Sequence, residues 1–281
     1  MDNILDRRRR FAEAARGDRP DLALLCLLLG AEAGPGVDDA AIAGALSELD
    51  RLADEVACHR TGYGPGAWAG ALAEVLGGRH GFRGLPSDYQ RLESSLLHHV
   101  LRRRRGLPIL LSVVWIEVGR RLDAPVYGVG LPGHFVVGIG DPDGGHVLVD
   151  PFSGGRQLTA EDAELLVAGA IGTPGATLSA AMFAPTEPLD IVARVLNNIR
   201  AWAAARPEHS GVQLWAIDLA LLLPHHPAGL RLERAQLLVQ RGEFAIGATE
   251  MEAYAELVAA MDPAVAETIR LRARSARALL N

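Results

Sequence analysis

Cysteine is almost absent: Cys26 and Cys58 are the only two in 281 residues, too few for the disulfide framework of a small secreted domain and more consistent with two reduced thiols. Long apolar runs are missing as well. The most apolar early stretch, Leu22 to Leu29, ends at Gly30 and falls far short of the roughly 20 residues that cross a bilayer. The N-terminus, MDNILDRRRRFAEAARGDRPD, has charge but no h-region with a small-residue cleavage site behind it, so secretion is not indicated and the cytoplasm is the expected compartment, without a membrane partner. A basic surplus is also lacking. The formal net charge is -6, which disfavours a nucleic-acid partner, because non-specific binding needs cations to displace phosphate counterions.

What the chain does have is 49% apolar and 22% charged residues, the balance of a globular protein, with Ala and Leu favouring helix. Its length accommodates two units. Ile42, Leu46, Leu49, Leu52, Ala53 and Val56 recur at helical spacing and predict a core-facing helix. A second helix runs through Trp68, Leu72, Val75 and Leu76, and Gly77-Gly78 is expected to stop it. A third is expected after Pro86, carrying Leu92, Leu96, Leu97, Val100 and Leu101 inward and ending in Arg102 to Arg105, where cations suit the negative end of the dipole. Pro108 fits the first turn of a fourth, since its missing N–H would be unpaired there anyway.

The period then changes to two. VYGVGL (126–131), HFVVGI (134–139) and HVLVD (146–150) read as short strands of an antiparallel meander, separated by Pro132-Gly133 and by Asp141 to Gly145. A Pro/Gly-rich stretch from Gly172 to Pro188 reads as a connection. Helical segments follow at Leu189 to Ala205, Val212 to Leu223, Ala228 to Arg241 and Glu243 to Met261, with Pro224 and Pro263 ending segments about one repeat apart. QRGEFAIGA (240–248) resembles a tetratricopeptide turn, with Gly247 where that repeat usually has Ala.

A hairpin turning within Asp141 to Gly145 places His134 opposite Asp150 or one place off it, where directly opposed Cβ atoms stand roughly 5 Å apart. The carboxylate can then accept from the ring Nδ1–H and fix the tautomer as a triad's third member does. The alternative is a His-Asp hydrogen bond that only pins two strands. His98-His99 and His225-His226 have no Cys or carboxylate at ligand spacing and read as surface residues, so no metal and no cofactor are expected.

The segments GFRGLPSDY (81–89), RRRRGLPILLSVVWIEVGRRL (102–122), GVGLPGHFVVGI (128–139) and VLVDPFSGG (147–155) together resemble the SirB-type branch of the transglutaminase-like superfamily. The resemblance implies an α+β fold: a papain-related core with a helical N-terminal part (1–80), the transglutaminase-like core itself (81–172) with a short antiparallel sheet, and a tetratricopeptide-like helical tail (186–281). In active members a Cys at the start of the central helix attacks a carbonyl, a His is its base and an Asp orients the His. His134 and Asp150 fill the last two places, and the nucleophile's place, two residues after Gly106, falls on Pro108. Proline has no nucleophile. Ser112, one turn further along and about 6 Å deeper, is the remaining hydroxyl for a Ser112-His134-Asp150 triad.

Two readings follow. The first is a non-catalytic scaffold, with Arg105, Gly106, Pro108, Trp115, Gly133 and Phe152 shaping a cleft for a small ligand or peptide and the tail binding an unidentified protein. The second is an enzyme, such as a hydrolase, using His134 as general acid/base.

Overall fold

A computed structural model of the chain describes residues 4–34, 36–172 and 180–280. They form two compact units, 1–195 and 196–281.

In the first unit, α1 (Ile4–Arg16), α2 (Leu22–Glu32), α3 (Asp39–His59) and α4 (Pro65–Leu72) form the helical front. Asp21 and Asp38 cap α2 and α3 by accepting from Leu24 and Ala41 N–H, a satisfaction of orphan donors that fixes where each helix starts. The α3 stripe packs inward as its spacing requires: Ile42, Leu49, Leu52, Ala53 and Val56 are buried, Leu46 partly. Gly77-Gly78 does not stop α4. The chain continues from Ala73 to Arg79 as a π-helix, in which Gly77 lets the Gly154 carbonyl come so near that a Cβ there would collide with it.

The helix expected after Pro86 is also different. It is broken into 3-10 turns at Pro86–Gln90 and Leu92–Ser95 before α5 (Leu97–Arg103) begins. The cause is Asp88, which is buried and accepts from the Leu85 N–H at 2.8 Å and the Ser94 hydroxyl at 3.1 Å. Such local side-chain bonds compete with helical backbone pairing.

Next comes α6 (Pro108–Arg120), with Pro108 at its first position and every residue from Pro108 to Gly119 buried. A helix apolar on all sides belongs inside a core, and α6 packs on β1 (Val126–Val129) and β2 (Val136–Gly140). With β3 (His146–Asp150), β4 (Arg156–Leu158) and β5 (Pro185–Thr186) these make an antiparallel sheet in the order β4-β3-β2-β1-β5. The two edge strands were not legible in the sequence. Between β4 and β5 lies α7 (Ala160–Ile171), whose Thr159 and Asp162 form a capping box. Of the connection expected from Gly172 to Pro188, residues 173–179 lie outside the described residues. The chain then enters α8 (Pro188–Ala204).

The second unit contains α9 (Ser210–Leu222), α10 (Gly229–Gln240), α11 (Phe244–Val258) and α12 (Pro263–Ala278). Pro263 opens α12 and does not end the segment before it: it takes the first helical position, and Asp262 caps by accepting from Val265 N–H. The core is built from small residues, among them Ala235, Ala248, Ala255, Ala266 and Ala273. The departure at Gly247 has a steric reason: a Cβ there would stand 2.6 Å from Val239 Cγ2 and 2.8 Å from the Ala235 carbonyl. Among the described residues no helix is long and apolar enough to cross a membrane.

Candidate functional site

His134 does not lie on a strand. It ends the turn Leu131-Pro132-Gly133-His134, in which Gly133 takes a left-handed conformation (φ 67°) and the His134 N–H donates to the Leu131 carbonyl at 3.2 Å, the arrangement that Pro and then Gly favour at the two central positions. The hairpin register is also shifted from the simple count. Val137 pairs with Val149, so Asp150 comes level with Val136 and the turn carries His134 back to reach it.

The contact is made by Nε2, not Nδ1: His134 Nε2 stands 3.0 Å from Asp150 Oδ1. Asp150 ends β3 and is 3% exposed, and the His134 side chain is 11% exposed. Burial alone would raise the Asp150 carboxyl pKa. Hydrogen bonds from His134, from the Ser153 hydroxyl at 2.6 Å and from the Phe152 N–H at 3.0 Å outweigh it and hold the group below the usual carboxylate range. Asp150 is therefore ionised at neutral pH, the ring nitrogen facing it carries the proton, and Nδ1 is left for any further partner.

Three rings follow one another at this place. Phe152 meets His134 edge to face, with centroids 6.0 Å apart, and Tyr89 also lies 6.0 Å from Phe152. Phe152 is only partly buried. Burial, and then the Asp150 charge, raise the Tyr89 hydroxyl pKa. From α8, the Arg194 guanidinium donates to the carbonyls of Leu131 (2.6 Å) and His134 (2.7 Å) and clamps the turn.

Around the start of α6, Gly106 packs where a Cβ would be 2.6 Å from Val100 Cγ2, and the Leu107 N–H donates to the Ser94 carbonyl at 2.9 Å. Pro108 occupies the first helical position. Arg105 bridges Arg83 through the backbone, and its buried Nη1 has no acceptor among the described residues. Ser112 is wholly buried and donates its hydroxyl to the Phe135 carbonyl at 3.3 Å, so this hydroxyl is directed at backbone and not at the imidazole. Trp115 is fully buried and meets Phe82 edge on. Cys26 is buried, which pushes its thiol pKa up, while Cys58 is exposed on α3.

Elsewhere, His98 is not a surface residue: its ring fills the space that a Gly30 side chain would take. Glu117 is buried and pairs with Arg121 at 2.9 Å. Among the described residues no three His, Cys, Asp or Glu side chains are grouped as a metal would need.

Ser153, Tyr89 and Arg194 escaped the sequence reading. Ser153, three residues after Asp150, had the spacing of a side-chain turn. Arg194 carried no local signal, because it reaches the site from a distant helix.

A family model described as the transglutaminase-like superfamily matches residues 43–197, and a tetratricopeptide repeat model matches residues 199–281. The chain is similar to a UPF0162 protein of Xylella fastidiosa, 33% identical over 189 residues that span 66% of each chain. A UPF0162 protein of Pseudomonas aeruginosa is 32% identical over 207 residues, 73% of each chain. F-box only protein 21 of Mus musculus is 27% identical over 169 residues, which cover 58% of this chain but 26% of that one. The chain thus spans about two thirds of the Xylella relative and about a quarter of the mouse protein.

Proposed function

We propose that this chain, which belongs to the transglutaminase-like superfamily and carries a tetratricopeptide tail, is a binding scaffold that keeps the His134-Asp150 pair and performs no acyl transfer. Pro108 at the first position of α6 carries this reading. That is the place where the family resemblance puts the nucleophile, and covalent catalysis needs a thiol or hydroxyl within reach of the base.

The other nucleophiles do not replace it. Cys26 is buried with a raised pKa, Cys58 belongs to α3, and the Ser112 hydroxyl is engaged by Phe135. Tetratricopeptide helices form protein-binding surfaces in general, so the tail is assigned a protein or peptide partner. The order of motifs supports membership of the SirB-type branch, and we propose the division into residues 1–80, 81–172 and 186–281 as the arrangement of parts. We place the protein in the cytoplasm on its cysteine usage.

Stability and rate separate this account from the acid/base alternative. Losing a general base costs an enzyme on the order of 10²-fold or more in rate, whereas losing a buried hydrogen-bond partner costs about 1 to 3 kcal/mol of stability. His134→Ala should lower the unfolding free energy obtained from urea denaturation by an amount in that range while hydrolysis of amide and ester substrates stays at the solvent background. A parent rate above background that disappears in His134→Ala would replace the scaffold with the enzyme.

A further inference from the structure

The turn that carries His134 is held by a side chain from another element. Arg194, on α8, places a single guanidinium nitrogen, Nη2, 2.6 Å from the Leu131 carbonyl and 2.7 Å from the His134 carbonyl. These two carbonyls bound the turn: the first also accepts the His134 N–H at 3.2 Å, and the second belongs to His134 itself. Both backbone ends of the turn are therefore fixed to one donor. Hydrogen bonds from a charged donor are about twice as strong as neutral ones.

Room for this side chain is built into β1 and the residue after it. A Cβ on Gly130 would stand 2.7 Å from Arg194 Nη1, and one on Gly128 would stand 2.7 Å from Phe135 Cζ and 3.2 Å from Ile191 Cδ1. Neither glycine has a positive φ, so what each supplies is space and not backbone freedom. The guanidinium carbon lies 5.3 Å from the centre of the Phe135 ring. Among the described residues the hydrogen bonds of Arg194 go to these carbonyls and to no carboxylate, and burial lowers its pKa. An aliphatic side chain would fill the same space at a smaller desolvation cost. What the guanidinium adds is the pair of bonds to the turn.

The carboxylate opposite is fixed without Arg194. Asp150 ends β3, and its oxygens are held by the Ser153 hydroxyl at 2.6 Å and the Phe152 N–H at 3.0 Å. The variable in the His134-Asp150 contact is consequently the place from which the ring is delivered. In an imidazole Nδ1 is bonded to the carbon that carries Cβ, and Nε2 lies across the ring, so the two nitrogens meet a fixed carboxylate from different backbone positions. The observed contact, Nε2 to Oδ1 at 3.0 Å, requires the His134 backbone to stand back by the width of the ring. Whichever nitrogen faces the carboxylate takes the proton, and the other becomes an acceptor.

The geometry points to Arg194 as the positioning residue of this site: by fixing the carbonyls at both ends of the turn, it selects the tautomer in which His134 Nε2 carries its proton toward Asp150 and Nδ1 remains the acceptor. Arg194 acts on the ring through the backbone of the turn, and Gly130 is the position that admits it. The assignment holds whether the site binds a ligand or turns one over, so it stands apart from the scaffold reading.

The test is long-range ¹H–¹⁵N NMR of the full ¹⁵N-labelled chain under mildly alkaline conditions, where imidazoles are neutral, with the His134 ring assigned through His134→Gln. In the parent, Nε2 should carry the proton, held against Asp150 and slow to exchange with water, and Nδ1 should be bare. Arg194→Met keeps the aliphatic bulk and removes the donors. The His134 ring should then lose its protected proton to exchange, and its two nitrogen shifts should converge as both tautomers become populated. Gly130→Ala displaces the guanidinium without deleting it, because the new Cβ would stand 2.7 Å from Nη1, and it should act in the same way; it decides the matter if Arg194→Met fails to fold. A residue that only supported the fold would lower stability and leave the ring signals of the folded molecules unchanged. A parent ring protonated at Nδ1, or a folded Arg194→Met or Gly130→Ala that keeps the Nε2 proton and well-separated nitrogen shifts, would overturn the proposal.

Discussion

The Ser153 hydroxyl donates to Asp150 Oδ2 at 2.6 Å while His134 Nε2 holds Oδ1 at 3.0 Å, so one carboxylate joins the turn after β3 to the turn before β2. Both oxygens are engaged, and the ionised form is the one these bonds favour. Because the folded carboxyl pKa lies below its unfolded value, the stability that it contributes is present above the unfolded pKa, near 4, and is lost as pH falls through the folded pKa. Asp150→Asn should cost about 1 to 3 kcal/mol at neutral pH and show a smaller loss than the parent on acidification. Urea unfolding at neutral pH and near pH 3 measures both. Equal acid sensitivity in parent and variant would show that Asp150 is not the titrating group.

A separate acid response is expected from His98. Burial, reinforced by the neighbouring charges of His99 and Arg102, pushes its pKa down to about 4, while its unfolded value stays near 6.5. The unfolded chain takes up the proton first, so stability is full above the unfolded pKa and declines as pH falls toward the folded one. For a half-buried ring the loss should amount to about 1 to 2 kcal/mol. His98→Gln should flatten the melting temperature between neutral pH and pH 4; an unchanged slope would remove His98 as its source.

Two glycines should respond to alanine with opposite signs. At Gly70 the space around a Cβ is open, and Gly→Ala in a helix should stabilise by about 0.5 to 1 kcal/mol. At Gly247 the same change meets Val239 Cγ2 at 2.6 Å and the Ala235 carbonyl at 2.8 Å. Overpacking costs about 1 to 3 kcal/mol, which exceeds the propensity gain, so Gly247→Ala should destabilise the tail. Denaturant midpoints give both signs. Stabilisation at Gly247 would mean that α10 and α11 separate more easily than their packing implies.

Pro108→Cys places a thiol at the first position of α6, where the helix dipole favours an anion and lowers thiol pKa values. Its alkylation at neutral pH should outpace that of the same variant unfolded in urea, after subtraction of Cys58 labelling measured in the parent. Labelling no faster than in the unfolded chain would show that the fold retains no thiolate-activating environment, contrary to a site descended from an enzyme.

Where sequence and structure agree, periodicity and turn chemistry are responsible. The α3 stripe, Pro108 at a helix start, and Pro132-Gly133 before His134 each follow from local rules, which is why these elements and the His134-Asp150 neighbourhood could be read directly. The disagreements come from groups that act across the fold. Asp88 breaks a helix because Ser94 and the Leu85 N–H compete for it. The approach of Gly154 to Gly77 accompanies a helix that runs on past two glycines as a π turn. The choice of Nε2 over Nδ1 depends on the angle at which the turn delivers the ring, and strand pairing alone does not specify that angle.

The central claim, that this site binds without acyl transfer, is met most directly by background-subtracted turnover of a glutamine-donor peptide and an activated ester by the parent, His134→Ala and Ser112→Ala. The chain contains no lysine, so side-chain amines add nothing to the ester background. All three proteins should match the buffer rate within error. Turnover by the parent that is abolished in both His134→Ala and Ser112→Ala would contradict the account and establish a serine-dependent enzyme.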